Sequence, residues 1–119
     1  MTKDLLIIED DPAAREVLGR FLASAGYRIE FAAEGRAGLE RLGHEPAPDA
    51  ILLDLMMPVM SGFEVLSALR VNQGWAGIPV VVLTATGGYS AEHLGVAAIV
   101  LKPFTAAGLQ AAVELALQG

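Results

Sequence analysis

The 119-residue sequence predicts one α/β domain over residues 1–119, built on a doubly wound, five-stranded parallel sheet. Short apolar runs alternate along the chain with segments whose apolar residues recur every three or four positions, which is typical of strands covered by helices. The central run, 50–53, has no polar alternation, as expected of a strand buried on both faces. The common arrangement for such a (βα)5 chain is the strand order 2-1-3-4-5.

The first strand is predicted over residues 5–8, where four apolar residues follow one another. Pro12 suits the first turn of a helix, and either Asp10 or Asp11 can cap it. Residues 27–32 then alternate in polarity, which indicates an edge strand with one wetter face.

Residues 34–42 predict a weaker second helix, because two glycines lie within it. The third strand ends near Asp54, because Pro58 cannot continue a ladder of hydrogen bonds. Ser61 and Glu64 form the S-x-x-E pattern of a capping box, which predicts the start of the third helix.

The β-branched run 79–83 predicts a buried fourth strand that Thr84 terminates. Residues 90–94 can form only a stub of a fourth helix. A fifth strand is predicted over residues 97–101, and Thr105 caps the last helix.

Composition excludes several classes of protein. The net charge of −6 and the lack of a basic stripe argue against direct binding of nucleic acid. The longest apolar run, 96–101, is too short to span a bilayer, so no membrane contact is expected. Disulfides and thiolate metal sites are excluded because the chain has no cysteine. A cytoplasmic location is predicted.

Five polar residues fall at the carboxyl ends of the predicted strands. Glu9 and Asp10 follow strand 1, Asp54 ends strand 3, Thr84 ends strand 4 and Lys102 follows strand 5. Each has a separate structural explanation as a helix cap, a strand residue or a solvated charge. In the order 2-1-3-4-5, however, all of them lie on one edge of the sheet, where such folds bind ligands. That coincidence favours a functional site.

The residue types indicate the chemistry of that site. Converging carboxylates repel one another, which raises their pKa values unless a cation lies between them. Oxygen ligands without histidine or cysteine select Mg²⁺, Mn²⁺ or Ca²⁺ rather than zinc. A carboxylate beside such an ion can act as a nucleophile and form an acyl phosphate. Thr84 and Lys102 would then contact the phosphoryl oxygens.

The ordered set of motifs resembles the receiver domain of two-component response regulators over essentially the whole chain. The motifs are Ile8-Glu9-Asp10-Asp11-Pro12, Leu53-Asp54-Leu55-Met56-Met57-Pro58 with Ser61-Gly62, Leu83-Thr84-Ala85 and Lys102-Pro103-Phe104. The resemblance implies a flavodoxin-like fold and transfer of a phosphoryl group to Asp54 from a histidine kinase or a phosphotransfer protein. It implies bound Mg²⁺, with Mn²⁺ as an alternative, and a surface that switches its binding of a downstream effector protein.

The same resemblance implies the role of each site residue. Asp10 would bind the metal directly, Glu9 would act mostly through water, and Met56 would contribute its backbone carbonyl. Thr84 would be the switch hydroxyl and Lys102 the phosphate-binding cation. Such a protein is a signalling switch rather than an enzyme, limited to phosphorylating itself from a donor and removing that phosphate.

The chain departs from the family pattern in two places. Ile99 stands where an aromatic residue usually lies, three residues before the lysine. The interval from Thr84 to Lys102 is about one helical turn short, which predicts a stunted fourth helix. The resemblance also implies a cis peptide between Lys102 and Pro103.

Two alternatives to the phosphoacceptor hypothesis stay open, and the departures favour only the first of them. One is a degenerate receiver that binds its partners constitutively. The other is a metal-dependent aspartyl phosphohydrolase, which usually has a second acid two residues after the nucleophile, where this chain has Met56. Because no output domain follows Gly119, a stand-alone receiver is predicted.

Overall fold

The computed structural model describes residues 2–118, so Met1 and Gly119 of the predicted domain lie outside the described residues. Within them, five strands alternate with five helices. The elements are β1 (Asp4–Ile8), α1 (Pro12–Ser24), β2 (Arg28–Ala32), α2 (Gly35–Leu42), β3 (Ala50–Asp54), α3 (Gly62–Val71), β4 (Val80–Thr84), α4 (Ala91–Leu94), β5 (Ala98–Leu101) and α5 (Ala106–Gln118). No helix in residues 2–118 has the length and apolar character needed to cross a membrane.

The strands form one parallel sheet in the order β2-β1-β3-β4-β5, which confirms the predicted fold. Leu53 of β3 pairs with Ile8 of β1 and with Val82 of β4. This register brings the carboxyl ends of β1, β3 and β4 to the same level. The polar residues that end or follow these strands therefore share one edge of the sheet.

The apolar residues of the sheet divide between two faces, each covered by helices. One face packs against α2 and α3 through a cluster that includes Leu6, Ile8, Ile51, Leu53, Val82, Leu42, Val65 and Leu69. The other packs against α1 and α5 through Leu5, Ile7, Leu52, Val81, Leu83, Leu18, Leu22, Leu109 and Val113. Side chains of successive strand residues point to opposite faces, so an uninterrupted apolar run serves both layers.

The fourth helix is as short as predicted. It has 4 residues, begins after Ser90, whose side chain accepts a hydrogen bond from the amide of His93, and ends at Gly95. Gly95 has a φ of 68°, a left-handed conformation that glycine adopts without steric cost. The cis peptide expected between Lys102 and Pro103 is present. β4 ends at Thr84 as predicted, and Thr84 pairs with Leu101.

Gly62 fixes the path of the loop that leaves the central strand. Its amide donates to the carbonyl of Leu55 over 2.9 Å. An added Cβ would meet the carbonyl oxygen of Asp54 and would lie 2.6 Å from the Cα of Leu55. Both obstacles are backbone atoms, so they cannot be relieved by a change of rotamer.

We expect Gly62→Ala to lower the free energy of unfolding by about 2 kcal/mol, because the loop must shift to accept the methyl group. Urea unfolding followed by circular dichroism measures this loss. Gly87→Ala is the matched control, since a Cβ at that glycine meets nothing within 4 Å. Equal stability of the two variants would contradict the proposed steric role.

Candidate functional site

Three carboxylates converge at the carboxyl edge of the sheet. Glu9 follows β1 and is fully buried, with its amide donating to the carbonyl of Ala32 over 3.1 Å. Asp54 is the last residue of β3 and is 3% exposed, while Asp10 is half-buried. One carboxylate oxygen from each of Glu9, Asp10 and Asp54 lies within 4.8 Å of the others.

Lys102 supplies a positive charge next to these carboxylates. Its Nζ lies 2.6 Å from Oε1 of Glu9 and 3.7 Å from Oδ1 of Asp54. Its amide donates to the carbonyl of Thr84 over 2.8 Å, which anchors the chain where β5 ends. Since Glu9 has no access to solvent, this ion pair compensates a charge that would otherwise be costly to bury.

The site shifts the titration of two of its members. Burial raises the pKa of Asp54 to about 7, and the hydrogen bond and negative charge of Glu9 act in the same direction, against Lys102 and the Met56 amide. Burial alone would lower the pKa of Lys102, but the hydrogen bond and charge of Glu9, with the charge of Asp54, raise it above its ordinary value. Ionised Asp54 is therefore unfavourable without a further cation.

Thr84 is fully buried. It lies close to the carboxylates because its neighbour in the chain, Leu83, pairs with Asp54. Its hydroxyl accepts a hydrogen bond from the amide of Thr86 over 3.0 Å. The same hydroxyl donates to the carbonyl of Thr86 over 3.2 Å. The structure therefore places this predicted residue at the site but directs its hydroxyl toward the loop that follows β4.

Met56 contributes its backbone to the site. Its amide donates to Oδ1 of Asp54 over 3.2 Å, and its side chain is 64% exposed. The role of its carbonyl as a metal ligand stays a prediction. The loop that contains Met56 leads to the capping box of α3, in which Ser61 and Glu64 bond reciprocally as predicted.

Asp11 serves as the cap of α1 and orients Glu9. Its Oδ1 accepts from the amide of Ala13 over 3.1 Å, which selects Asp11 from the two predicted candidates. Its own amide donates to Oε2 of Glu9 over 3.2 Å. The carboxylate of Glu9 thus has one oxygen on Lys102 and the other on the backbone.

Arg15 supports the backbone of the site, and its role was not predicted from the sequence. Its Nη1 donates to the carbonyl of Glu9 over 2.8 Å. A positive charge near the start of a helix is unfavourable because it opposes the helix dipole. The position of Arg15 near the start of α1 could therefore have indicated that its side chain binds a specific partner. Arg15 thereby fixes the chain between β1 and α1, where the acidic pair lies.

The donor set fits a hard divalent cation. Three carboxylates converge, and no histidine or cysteine is among them. Mg²⁺ accepts one or two carboxylates and retains several waters, which suits a partly open site of this kind. A cation there would also lower the cost of ionising Asp54.

Comparisons with known proteins agree with this geometry. The family model of the response regulator receiver domain matches residues 5–114. The DNA-binding dual master transcriptional regulator RpaA of Synechocystis is 43% identical over 83 residues, which are 70% of this chain and 34% of that protein. Response regulator MprA of Mycobacterium leprae is 36% identical over 118 residues, 96% of this chain and 50% of that protein. The chain spans between a third and a half of the length of these relatives.

Solved structures show the same fold. Chemotaxis protein CheY4 of Vibrio cholerae superposes with a TM-score of 0.89 at 28% identity, covering 98% of this chain and 100% of that one. The receiver domain of sensor histidine kinase PA1611 from Pseudomonas aeruginosa has a TM-score of 0.89 at 26% identity and covers 100% of both chains. That structure has a magnesium ion coordinated in its active-site cleft.

Proposed function

The chain belongs to the family of response regulator receiver domains of two-component systems, and we propose that Asp54 is its phosphoacceptor. The observation that carries this proposal is the burial of Asp54 at the tip of the central strand, beside Glu9, Asp10 and Lys102. A buried carboxylate among other carboxylates lowers the stability of the fold, so a structural role does not explain it. Its position at the ligand-binding edge of the sheet supports a chemical role.

In the proposed reaction the Asp54 carboxylate attacks the phosphorus of a phosphohistidine on a histidine kinase or phosphotransfer protein. A bond forms between a carboxylate oxygen and phosphorus, while the bond between phosphorus and the histidine nitrogen breaks. The Met56 amide and Lys102 hold and orient the carboxylate, since both face its Oδ1. Lys102 then has a second anion within reach, the phosphoryl group, which its ammonium attracts.

Glu9, Asp10 and Asp54 are the residues that would hold Mg²⁺, or Mn²⁺ in its place, with the Met56 carbonyl as a further ligand. When bound, such an ion supplies positive charge to the phosphoryl oxygens and offsets repulsion among the carboxylates. The chemistry of the converging oxygen donors supports this assignment.

The proposed product is a signal rather than a metabolite. Phosphorylation adds roughly −1.5 to −2 charges at Asp54 and changes a surface that binds a downstream effector protein. We propose that this cytoplasmic switch turns over only its own phosphate. Residues 1–119 are proposed to form one receiver domain.

We propose that residues 1–119 do not contact nucleic acid directly, because their net charge is −6. This proposal concerns these residues alone. One relative is named as a DNA-binding regulator, and the chain covers 34% of it. A longer protein with a DNA-binding segment is therefore compatible with this proposal. The activity of a whole regulator would then depend on residues beyond this receiver.

A second candidate function is a receiver that binds its partner without phosphate. Two observations favour it: Ile99 replaces an aromatic residue, and the Thr84 hydroxyl bonds to its own loop rather than toward Asp54. The amide signals of residues 84–104 discriminate the two functions. A phosphoryl mimic with Mg²⁺ should move these signals in a switch and leave them in place in a constitutive binder.

We expect the protein to incorporate phosphate from acetyl phosphate in the presence of Mg²⁺, and Asp54→Asn to incorporate none, because an amide is not a nucleophile for phosphorus. Intact mass spectrometry measures the incorporated phosphate. Asp11→Asn is the matched control, since asparagine caps a helix as well as aspartate does. Phosphate on Asp54→Asn at the wild-type level would refute the assignment.

A further inference from the structure

The loop between β4 and α4 is held by two contacts that join it to the site. All residues from 85 to 90 are exposed, and Gly87 and Gly88 lie in the middle of this segment. At one end, the amide and carbonyl of Thr86 bond to the hydroxyl of Thr84. At the other end, the ring of Tyr89 packs against the ring of Phe63, with centroids 5.6 Å apart at an interplanar angle of 57°.

The aromatic contact connects the start of α3 with the loop between β4 and α4. Phe63 lies in the first turn of α3, directly after the loop that leaves β3, and Tyr89 lies just before α4. Both rings remain partly exposed, Phe63 at 37% and Tyr89 at 39%. A favourable aromatic pair requires centroids within about 4.5–7 Å, so a loop movement of a few ångströms would separate these rings.

The contact at Thr84 would change if its hydroxyl donated to a phosphoryl group on Asp54, as the proposed function expects. A threonine hydroxyl has one proton, so it cannot donate to the Thr86 carbonyl and to a phosphoryl oxygen at the same time. When Thr84 turns to the phosphoryl group, the Thr86 carbonyl loses its donor. The following Gly87-Gly88 pair has no side chains that would hold the loop in place, and Gly88 has a φ of 95°.

We propose that Tyr89 is the residue through which this receiver reports its phosphorylation, by leaving Phe63 when the Thr84 hydroxyl turns toward Asp54. This inference rests on the proposed phosphoacceptor function and assigns its readout. Ile99 of β5, at the position where the family usually has an aromatic residue, cannot take this role. Its side chain is aliphatic and packs partly buried against the core. Tyr89 places an aromatic ring on the loop that the switch hydroxyl itself holds.

Fluorine NMR of protein labelled with 3-fluorotyrosine tests the proposal. The chain has 2 tyrosines, so Tyr27, which precedes β2 at the opposite edge of the sheet, is an internal reference. On phosphorylation by acetyl phosphate with Mg²⁺, we expect the Tyr89 signal to lose the ring-current shift from Phe63. The Tyr27 signal should not move.

Phe63→Leu removes the ring that Tyr89 contacts, so it mimics the state in which Tyr89 has left Phe63. Its Tyr89 signal should already lie where the wild-type signal lies after phosphorylation. Phosphorylation of this variant should move the signal no further. Phe31→Leu, which replaces another exposed phenylalanine on β2, should respond as the wild type does. Thr84→Ser retains the hydroxyl and should keep the response. The phosphate-loaded fraction of Thr84→Val should lose it.

Intact mass measured on the same samples separates the possible failures. If no phosphate is incorporated, the proposed function fails and this inference fails with it. If phosphate is incorporated while the Tyr89 signal stays in place, only the proposed readout is overturned. A full Tyr89 response in phosphate-loaded Thr84→Val would overturn the role of the Thr84 hydroxyl.

Discussion

Asp54→Asn is expected to stabilise the metal-free protein at high pH while abolishing its capacity to accept phosphate. The cause is the cost of an ionised Asp54 in a buried site shared with Glu9. Asparagine keeps the shape of the side chain and removes the charge. A residue that lowers stability in order to carry out chemistry is a common feature of functional sites.

The sign follows from the pKa of Asp54, which burial raises from 3.8 in the unfolded chain to about 7 in the folded protein. Below the lower value both states bind the proton, and the carboxyl group behaves much like the amide. As the pH rises from 3.8 to about 7, the unfolded chain is ionised while the folded protein keeps the proton, so the wild type loses stability that Asp54→Asn retains. The loss at pH 8 is on the order of 2–4 kcal/mol.

Urea unfolding at several pH values in EDTA measures this difference between wild type and Asp54→Asn. Asp11→Asn, an exposed helix cap, is expected to follow the pH dependence of the wild type. Saturating Mg²⁺ should remove most of this difference at pH 8, because a ligand at 100 times its Kd stabilises by about 2.7 kcal/mol and Asp54→Asn lacks one of the proposed ligands. Parallel pH profiles for the two proteins in EDTA would contradict the raised pKa of Asp54.

The fold could be predicted because local patterns and global topology agree in this chain. Uninterrupted apolar runs identified the buried strands, and the Ser61 and Glu64 pair located the start of α3. The short interval before Lys102 left room for only a stub, and α4 has 4 residues. The position of the site followed from topology, since parallel strands bring their carboxyl ends to one edge.

Side-chain directions at the site could not be predicted in the same way. Spacing placed Lys102 near both Glu9 and Asp54, but only the folded geometry shows that Glu9 is the closer partner. Spacing likewise placed Thr84 at the site without showing that its hydroxyl bonds to Thr86. Such choices depend on rotamers and on atoms far away in sequence.

The contact between Phe63 and Tyr89 shows the same limit. Phe63 is one of the apolar residues of α3, yet its ring lies partly exposed against Tyr89, which belongs to the loop before α4. No periodicity in the sequence links a residue in the first turn of α3 with a residue of the loop before α4. Their proximity follows from β3 and β4 being neighbours, which places the loops after these strands side by side.

Lys102→Gln is expected to lower the stability of the metal-free protein at pH 8 by about 3 kcal/mol. The substitution leaves Glu9, which has no access to solvent, without its partner at 2.6 Å. Removing one member of a buried ion pair typically costs 3–5 kcal/mol, because the remaining charge stays desolvated. Urea unfolding in EDTA gives the value, and added Mg²⁺ should restore most of it by replacing the lost cation.

Arg20→Gln is the matched control, since Arg20 pairs with Glu16 on the surface of α1, where both side chains are exposed. Such exposed pairs contribute about 0.5 kcal/mol or less, so a similar loss in both variants would show that burial is irrelevant to the effect at Lys102.

Combining Lys102→Gln with Asp54→Asn identifies the carboxylate on which Lys102 acts. Because Glu9 is at 2.6 Å and Asp54 at 3.7 Å, most of the loss should persist in the Asp54→Asn background. Its disappearance there would assign Lys102 to Asp54 even before a phosphoryl group arrives.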